Sequence, residues 1–308
     1  MRIAILCNDR LSLPALGQFS QSGLLAAVGV TDRVNEVQLL IRQLCTGAKI
    51  PVQQFAKENF AANLAAWLMQ HQPDVVLVKT FPWRIPAECL SIPKYGFINF
   101  HYAPLPEWRG SNPLFWMIRN RAGTAGVSVH KMTEEFDEGE ILLSQQLPFS
   151  PETTFGMLCT QLAYAGVELS GRLIQGLAAN SLKPQLQDHS KAKWYGRPKP
   201  SDLFIDWNTM PMVEIRALVK ACNPWNKGAG TRGNGWTFGI TDVSLSAVKV
   251  PENTLPGTII ELDETKGLVI ACCDNRAIRV DVIYCEEGFY PGQRLTLFGF
   301  KKGSRLGT

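Results

Sequence analysis

The stretch Gly96 to Gly110, GFINFHYAPLPEWRG, ends an apolar strand and begins a loop that contains two prolines. Asn99 and His101 lie two residues apart, so the alternation of side chains along a strand places both on one face. Pro104 and Pro106 then stiffen the loop, because proline fixes its own backbone angle and has no N–H to donate. Open α/β sheets bind ligands beyond the carboxyl ends of parallel strands. The stretch therefore predicts a site at the end of a central strand.

Two interpretations of this pair compete on the residues alone. An isolated Asn-x-His at the end of a strand is most often structural, with the imidazole bonded to a carbonyl and the asparagine in a turn. The surrounding sequence favours a functional site, because the WRG of residues 108–110 closes the loop and Asp137 follows His101 by thirty-six residues. Gly139 then lets the second loop approach a ligand closely.

This ordered set of motifs resembles the folate-dependent formyltransferases. The family signature runs from an apolar strand through Asn-x-His, a Leu-Pro loop and an aromatic-Arg-Gly to Asp-x-Gly. This chain matches it at the following positions: Asn99, His101, Leu105, Pro106, Trp108, Arg109, Gly110, Asp137 and Gly139. A CNPWNKGAG segment around Pro224 and the GSRL of residues 303–306 extend the resemblance over nearly the whole chain. It implies an α/β fold with a Rossmann-like parallel sheet as the formyltransferase domain, followed by a small β-barrel (OB-like) C-terminal domain.

The residue patterns also predict two domains. A chain of 308 residues is long enough for two cores, at about 100–200 residues each. Apolar runs at 2–7, 24–30 and 74–78 alternate with helical patterns, which is typical of a parallel α/β sheet. Later extended runs, separated by turn residues, predict a small barrel: Thr237–Ile240, Val243–Val250, Thr258–Leu262, Leu268–Cys273, Ala277–Ile283 and Arg294–Phe298. The expected boundaries are a catalytic domain at 1–183, a linker at 184–203 and the OB-like domain at 204–308.

Three residues of the motifs match what formyl transfer to an amine requires. His101 has the intrinsic pKa to take and return a proton near neutral pH. Asp137, within hydrogen-bond reach, would orient the imidazole and stabilise its protonated form. Asn99 offers an uncharged donor to the developing oxyanion. Asn99, His101 and Asp137 are therefore the predicted catalytic residues, with direct attack by the amine, while His130 in its alternating strand is assigned to packing.

The resemblance further implies 10-formyl-tetrahydrofolate as the cosubstrate. The residues expected to contact it are Phe81, Pro82, Trp83, Arg84, Ile85, Leu105, Arg109 and Gly139. A structural ion pair is an equally good interpretation of Arg109, and a surface loop with one aromatic anchor is the alternative for residues 81–85. Tyr102, Ala103 and Pro104 stand where many family members have glycine, serine and leucine, so we expect them to line the acceptor pocket.

Several other kinds of site are excluded by pattern. Gly228, Gly230 and Gly233 spell GxGxxG, but no strand precedes them and no helical pattern follows, so a dinucleotide site is rejected. The four histidines form no metal-ligand pattern, and we expect no metal. No apolar run reaches the length of a membrane span, so we expect no membrane partner and a cytoplasmic location.

The acceptor is predicted from charge and from a missing segment. The chain carries a formal net charge of +4, yet residues 201–308 hold equal numbers of basic and acidic side chains. Methionyl-tRNA formyltransferases carry a longer basic insertion between Thr31 and the helix predicted at Val34–Leu44. A primary amine of a small or carrier-bound molecule, such as an amino sugar or a peptide precursor, is thus preferred. Methionyl-tRNA is the alternative. A formyltetrahydrofolate hydrolase and a non-catalytic folate-binding module also remain open, and the sequence indicates no oligomeric state.

Overall fold

The strand-length runs of the first part of the chain form one seven-stranded sheet in the computed structural model, which describes residues 1–33 and 35–307. In chain order the strands are β1 (Ile3–Cys7), β2 (Leu25–Thr31), β3 (Val52–Phe55), β4 (Val75–Lys79), β5 (Phe97–His101), β6 (Thr124–Lys131) and β7 (Ile141–Pro148). Their spatial order is β3-β2-β1-β4-β5-β6-β7. The first five strands pair in parallel, and β6 pairs antiparallel with both β5 and β7. The predicted Rossmann-like sheet is confirmed.

Helices connect these strands as an α/β sheet requires. They are α1 (Leu13–Ser22), α2 (Glu36–Gly47), α3 (Phe60–His71), α4 (Ala87–Leu90), α5 (Pro113–Arg119) and α6 (Phe155–Ala178). Helix α2 begins after Asn35, whose side-chain oxygen accepts a hydrogen bond from the backbone of Gln38 at 3.0 Å. This is the helix predicted at Val34–Leu44, and Val34 itself lies outside the described residues.

The carboxyl ends of the central strands bring the predicted site residues to one edge. β4 lies between β1 and β5, with Cys7 opposite Lys79 and Val78 opposite Asn99. These strands are buried, and a parallel sheet covered by helices on both faces needs such near-continuous apolar strands. His101, the last residue of β5, therefore stands at the edge where open α/β sheets bind ligands.

The last third of the chain forms an antiparallel sheet after helix α7 (Met212–Cys222). Its strands are β8 (Ala229–Gly233), β9 (Trp236–Leu245), β10 (Ile259–Asp263), β11 (Gly267–Ala271), β12 (Ala277–Cys285) and β13 (Gly288–Pro291). The spatial order is β10-β11-β12-β9-β8, and β13 also pairs with β12. The small antiparallel β domain predicted here is confirmed.

Three details of this sheet differ from the sequence prediction. The run Arg294–Phe298 is not a strand but part of a 3-10 helix at Gly292–Phe298, which Pro291 precedes and Gly299 ends at a φ of 78°. Two predicted strands are one, because β9 stays paired with β12 through Asp242. Strand β8 contains two of the GxGxxG glycines, so a strand lies within that motif rather than before it.

By internal contacts the chain divides into two compact units. The first comprises Met1–Pro113, Thr124–Pro148 and Cys159–Tyr195, and the second comprises Leu114–Gly123, Phe149–Leu158 and Gly196–Thr308. Each contains one of the two sheets. Among residues 1–33 and 35–307, no helix combines the length and the apolar character that crossing a membrane requires.

Candidate active site

Asn99 and His101 project from the end of β5 beside β6. In the antiparallel register of these strands, Asn99 lies opposite His130 and His101 opposite Ser128. Asn99 Nδ2 lies 3.1 Å from His130 Nε2, and the His101 side chain is 6 % exposed. The predicted Asn-x-His pair thus stands at a buried strand end, and its nearest polar neighbours come from β6 and from the two loops that follow.

Asp137 reaches this strand end from the loop between β6 and β7. Its Oδ1 lies 3.4 Å from His101 Nδ1 and 3.7 Å from His130 Nε2. Its Oδ2 accepts a hydrogen bond of 2.9 Å from the backbone N–H of Gly110. Asp137 has a φ of 54°, a left-handed conformation that aspartate adopts more readily than most residues. The structure therefore brings together all three residues that the sequence proposed as catalytic.

The second ring nitrogen of His101 contacts a backbone carbonyl. His101 Nε2 lies 2.6 Å from the carbonyl oxygen of Trp108, in the loop that the two prolines stiffen. A carbonyl oxygen can only accept, so Nε2 carries the proton of the neutral ring. The lone pair of Nδ1 is then directed towards Asp137, and Nδ1 is where a second proton would be held.

The titration of this pair follows from burial and charge. Burial lowers the pKa of His101 below its ordinary value, although the Asp137 charge and the Trp108 carbonyl act in the opposite direction. Burial alone would raise the pKa of Asp137, but His101, His130 and the Gly110 N–H together hold it below its ordinary range. The carboxylate is therefore ionised at neutral pH. Burial therefore makes His101 hold its second proton less tightly than a free imidazole does.

His130 is a member of this cluster that the sequence assigned to packing. The ring is buried, and its Nδ1 lies 2.9 Å from the carbonyl oxygen of Lys131. Because that carbonyl only accepts, Nδ1 carries the proton, and Nε2 can accept from the amide of Asn99. One amide N–H of Asn99 is anchored in this way, and within residues 1–33 and 35–307 the other makes no hydrogen bond, so it can donate to a ligand. The alternating sequence predicted a strand around His130, but only the β5–β6 register places His130 opposite Asn99.

Arg109 is buried in a polar network. Its side chain donates to Glu138 Oε1 at 2.8 Å and to Gln187 Oε1 at 2.8 Å, and only 1 % of the residue is exposed. Its backbone pairs with residues 193–195. This geometry matches the structural ion pair that the sequence left as the alternative. Folate contact through Arg109 stays a prediction, one that this burial does not favour.

Gln187 fixes the loop that carries Asp137, and sequence patterns gave no sign of it. Its side-chain Nε2 donates to the carbonyl oxygens of Asp137 at 2.9 Å and Gly139 at 2.8 Å. A Cβ on Gly139 would overlap the carbonyl oxygen of Lys131, so only glycine fits between this loop and β6. The close approach expected of Gly139 is thus made to the chain's own backbone.

The loop expected to hold the folate follows β4 on the same edge of the sheet. Phe81 and Trp83 are partly buried and form an aromatic cluster with Phe60, at centroid distances of 5.6 and 5.1 Å from its ring. Ile85 is buried, whereas Pro82 and Arg84 are exposed. The guanidinium of Arg84 lies 3.8 Å from Glu135 and 4.8 Å from the centre of the Phe136 ring. The loop is thereby linked to the segment that leads into Asp137.

The residues expected to line the acceptor pocket differ in exposure. Ala103 is fully buried, and Tyr102 is 3 % exposed with its hydroxyl donating to the carbonyl oxygen of Leu11 at 3.1 Å. Leu105, expected to contact folate, is also buried, and its N–H donates to Ser128 Oγ at 3.0 Å. Pro104 is partly exposed. The burial of Tyr102 and Ala103 indicates packing, so their contact with an acceptor stays a prediction.

The arrangement provides the groups that acyl transfer needs. His101 can take a second proton at Nδ1, where Asp137 stabilises the resulting imidazolium. Asn99 presents an amide N–H from a fixed position, which suits stabilisation of an oxyanion. The imidazole of His101 is buried, so its electrostatic interaction with Asp137 is stronger than on an open surface, whereas Asn99 is partly exposed.

Two family models and several named relatives match this chain. Residues 1–172 match the family model described as formyl transferase, and residues 198–288 match the one described as formyl transferase, C-terminal domain. Over 235 residues the chain is 33 % identical to the methionyl-tRNA formyltransferase of Stutzerimonas stutzeri (strain A1501), covering 75 % of this chain and 71 % of that protein. It is 32 % identical over 231 residues to the methionyl-tRNA formyltransferase of Geobacillus sp. (strain WCH70), covering 75 % and 69 %.

Two solved structures share the fold at low sequence identity. The N-formyltransferase from Helicobacter canadensis, solved with folinic acid and dTDP-3-aminofucose, matches with a TM-score of 0.70 at 17 % identity, covering 94 % of this chain and 100 % of that chain. HypX from Aquifex aeolicus, solved with tetrahydrofolic acid, matches with a TM-score of 0.67 at 19 % identity and 98 % coverage of this chain. The chain spans about half the length of HypX, at 48 %.

Proposed function

The chain belongs to the formyl transferase family, and we propose that it moves the formyl group of 10-formyl-tetrahydrofolate to a primary amine of a small or carrier-bound acceptor. The observation that carries this proposal is the contact of 3.4 Å between Asp137 Oδ1 and His101 Nδ1, beside an Asn99 amide held at 3.1 Å by His130. The enzyme class follows from the family, and the choice of acceptor is the proposed part.

Each side chain has a defined part in the proposed reaction. The neutral amine attacks the formyl carbon, and the free N–H of Asn99 donates to the carbonyl oxygen as it becomes an oxyanion. His101 Nδ1 takes the proton that the attacking nitrogen gives up, and Asp137 stabilises the imidazolium. The same proton then passes to the departing folate nitrogen as its bond to the formyl carbon breaks. His101 returns to its neutral state, so no covalent intermediate with the protein is needed.

The donor is 10-formyl-tetrahydrofolate, which supplies the activated formyl group. Residues 81–85 are the proposed contacts, because this loop follows β4 on the edge where His101 stands and carries two partly buried aromatic rings. Aromatic side chains and the backbone groups of a loop suit a flat, polar heterocycle such as a pterin.

A small or carrier-bound amine is supported by the charge of residues 201–308 and by the short connection between β2 and α2. Residues 201–308 have no net charge, and only Asp32 to Asn35 separate β2 from α2. A surface that binds a polyphosphate acceptor tightly is expected to be basic. Methionyl-tRNA is the second candidate, since the relatives from S. stutzeri and Geobacillus carry that activity in their names. A cytoplasmic location and domain boundaries at 183 and 204 remain proposals.

A panel of acceptors tests the proposal. The purified protein is incubated with 10-formyl-tetrahydrofolate and, in separate reactions, with amino sugars, small amines, carrier-bound amines and methionyl-tRNA. Transfer to a small or carrier-bound amine supports the first candidate. Transfer to methionyl-tRNA alone, with an affinity that falls steeply with salt, selects the second.

The His101→Ala variant is the matched control for chemistry. We expect at least about a hundredfold slower transfer with folate still bound, because the proton acceptor is lost and the folate loop is not. Formate release without any acceptor would identify water as the nucleophile. If the wild type binds folate but transfers the formyl group neither to any acceptor of the panel nor to water, the proposal is wrong.

A further inference from the structure

An aspartate lies at the strand ends where the strand order of the first sheet reverses. β2 and β3 lie on one side of β1, whereas β5 lies on the far side of β4, so the reversal falls between β1 and β4. Ligands of open α/β sheets bind beyond the strand ends at this point. Asp9 lies two residues beyond the end of β1, and Thr80 is the first residue beyond β4.

The carboxylate of Asp9 is held in place without a cationic partner. Its Oδ1 accepts a hydrogen bond of 2.9 Å from the N–H of Leu11, and the Thr80 hydroxyl lies beside it. Burial raises the pKa of Asp9 to about 6. Within residues 1–33 and 35–307, no lysine, arginine or histidine forms an ion pair with it, and the neighbouring Arg10 pairs instead with Glu36 at 3.5 Å. A partly buried carboxylate without a cationic partner is a candidate for binding a cationic ligand.

The nearby lysine does not neutralise this carboxylate. Lys79 is fully buried, with its Nζ 3.3 Å from the centre of the Phe100 ring and 3.4 Å from the carbonyl oxygen of Gly166. Burial lowers its pKa well below the ordinary lysine value, so the amine is a poor source of positive charge. The negative charge of Asp9 therefore has little positive charge near it to compensate.

The Asp9 loop is tied to the catalytic strand end. Tyr102, the residue after His101, donates its hydroxyl to the carbonyl oxygen of Leu11 at 3.1 Å. β1 and β5 are separated by β4 alone, and two strand spacings amount to about 10 Å. An amine held at Asp9 would thus enter on the edge of the sheet that carries His101.

We propose that Asp9 is the recognition carboxylate for the acceptor, which it binds through a positively charged amine. This inference rests on the proposed function and specifies the chemical class of its acceptor: an alkyl-type amine that arrives protonated and gives its extra proton to solvent before the neutral amine attacks beside His101. A carboxylate at this place repels phosphate, so the part of the acceptor that meets the β1 loop carries no phosphate group. Asp9 is a specificity-determining residue here, and proton transfer remains with His101.

The Asp9→Asn variant separates recognition from a purely structural role. Asp9 also caps the 3-10 turn at Arg10–Ser12, and asparagine caps such a turn equally well while removing the charge. Asp188→Asn is the matched control, because Asp188 caps the 3-10 turn at His189–Lys191 in the same way. Both variants are compared with the wild type in urea unfolding, in folate affinity, and in KM and kcat for the amine that the acceptor panel identifies.

We expect Asp9→Asn to raise the KM for the amine by at least about tenfold, since an ionic hydrogen bond is lost. kcat should change by less than about threefold, with folate affinity and unfolding unaltered. Asp188→Asn should change none of these quantities. An unaltered KM in Asp9→Asn would mean that Asp9 is a cap alone and would overturn the proposal.

A binding measurement keeps the inference testable if the panel yields no acceptor. Carboxyl carbons of aspartate are observed by ¹³C NMR, and the Asp9 signal is the one missing from Asp9→Asn. Methylammonium chloride should shift that signal saturably, whereas sodium chloride should not. A shift without any formyl transfer would contradict the proposed function and leave the cation site standing. Transfer without a shift, and with an unaltered KM in Asp9→Asn, would reject the cation site alone.

Discussion

Replacing Asp137 by asparagine removes one charge from the candidate site and retains the shape of the side chain. The Asp137 side chain is 10 % exposed, and its Oδ1 lies 3.4 Å from His101 Nδ1. With an effective dielectric constant of about 20, an ion pair at this distance is worth about 5 kcal/mol. That stabilisation applies only when His101 holds its second proton, which in the proposed mechanism occurs during transfer. We therefore expect kcat to fall by about 10³- to 10⁴-fold.

The assay follows the release of tetrahydrofolate with saturating donor and acceptor. Folate affinity should stay within about threefold of the wild type, because the proposed contacts in residues 81–85 are unchanged. Glu138→Gln is the matched control: this neighbouring carboxylate binds Arg109 at 2.8 Å, and no contact joins it to His101. Its kcat should remain within about tenfold of the wild type.

The same variant has a defined effect on acid stability. The pKa of Asp137 is lowered in the folded state, so ionisation stabilises the fold at pH values above the unfolded pKa of about 3.9. This contribution, about 2 kcal/mol for charge-assisted hydrogen bonds, is lost as the pH falls below that value towards the folded pKa. Asp137→Asn lacks this contribution at every pH, so the unfolding free energies of the wild type and the variant should converge on acidification.

If Asp137→Asn binds folate and keeps kcat within about tenfold of the wild type, the catalytic role given to Asp137 is refuted.

Three further predictions test the surrounding structure. His130→Phe should lower kcat by about tenfold with little change in folate affinity, because the Asn99 amide loses the hydrogen bond that holds it. Steady-state kinetics and a folate titration measure both quantities, and an unchanged kcat would contradict this role of His130. Arg109→Met should lower the free energy of unfolding in urea by about 3 kcal/mol, because it breaks the ion pair of the buried Arg109 with Glu138. Arg172→Met, at an exposed ion pair, should lower it by less than about 0.5 kcal/mol. Equal losses in the two variants would contradict the buried network. Gly139→Ala should lower the free energy of unfolding by at least about 2 kcal/mol and remove most of the activity, because its Cβ would overlap a carbonyl oxygen of β6. Gly47→Ala, which has open space around it, should change neither quantity in the same assays.

Regular elements of this chain followed from local patterns. The β-branched run at 74–78 and the apolar run before Asn99 predicted β4 and β5, since a strand buried on both faces has few alternatives to continuous apolar residues. The 3-10 helix at Gly292–Phe298 was taken for a strand because short apolar runs do not distinguish the two, and only the proline and glycine at its ends mark the difference.

The sequence by itself determined which strand end carries the candidate site and which three side chains belong to it, because Asn99, His101 and Asp137 stand in ordered motifs. Only the tertiary structure decided what surrounds them. His130 joins the cluster through the β5–β6 register, and Gln187 holds the Asp137 loop from 50 residues away. Only the pairing of β1 with β4 places Asp9 at the point where the strand order reverses. Such contacts join residues far apart in the chain, and local periodicity carries no information about which distant side chains meet.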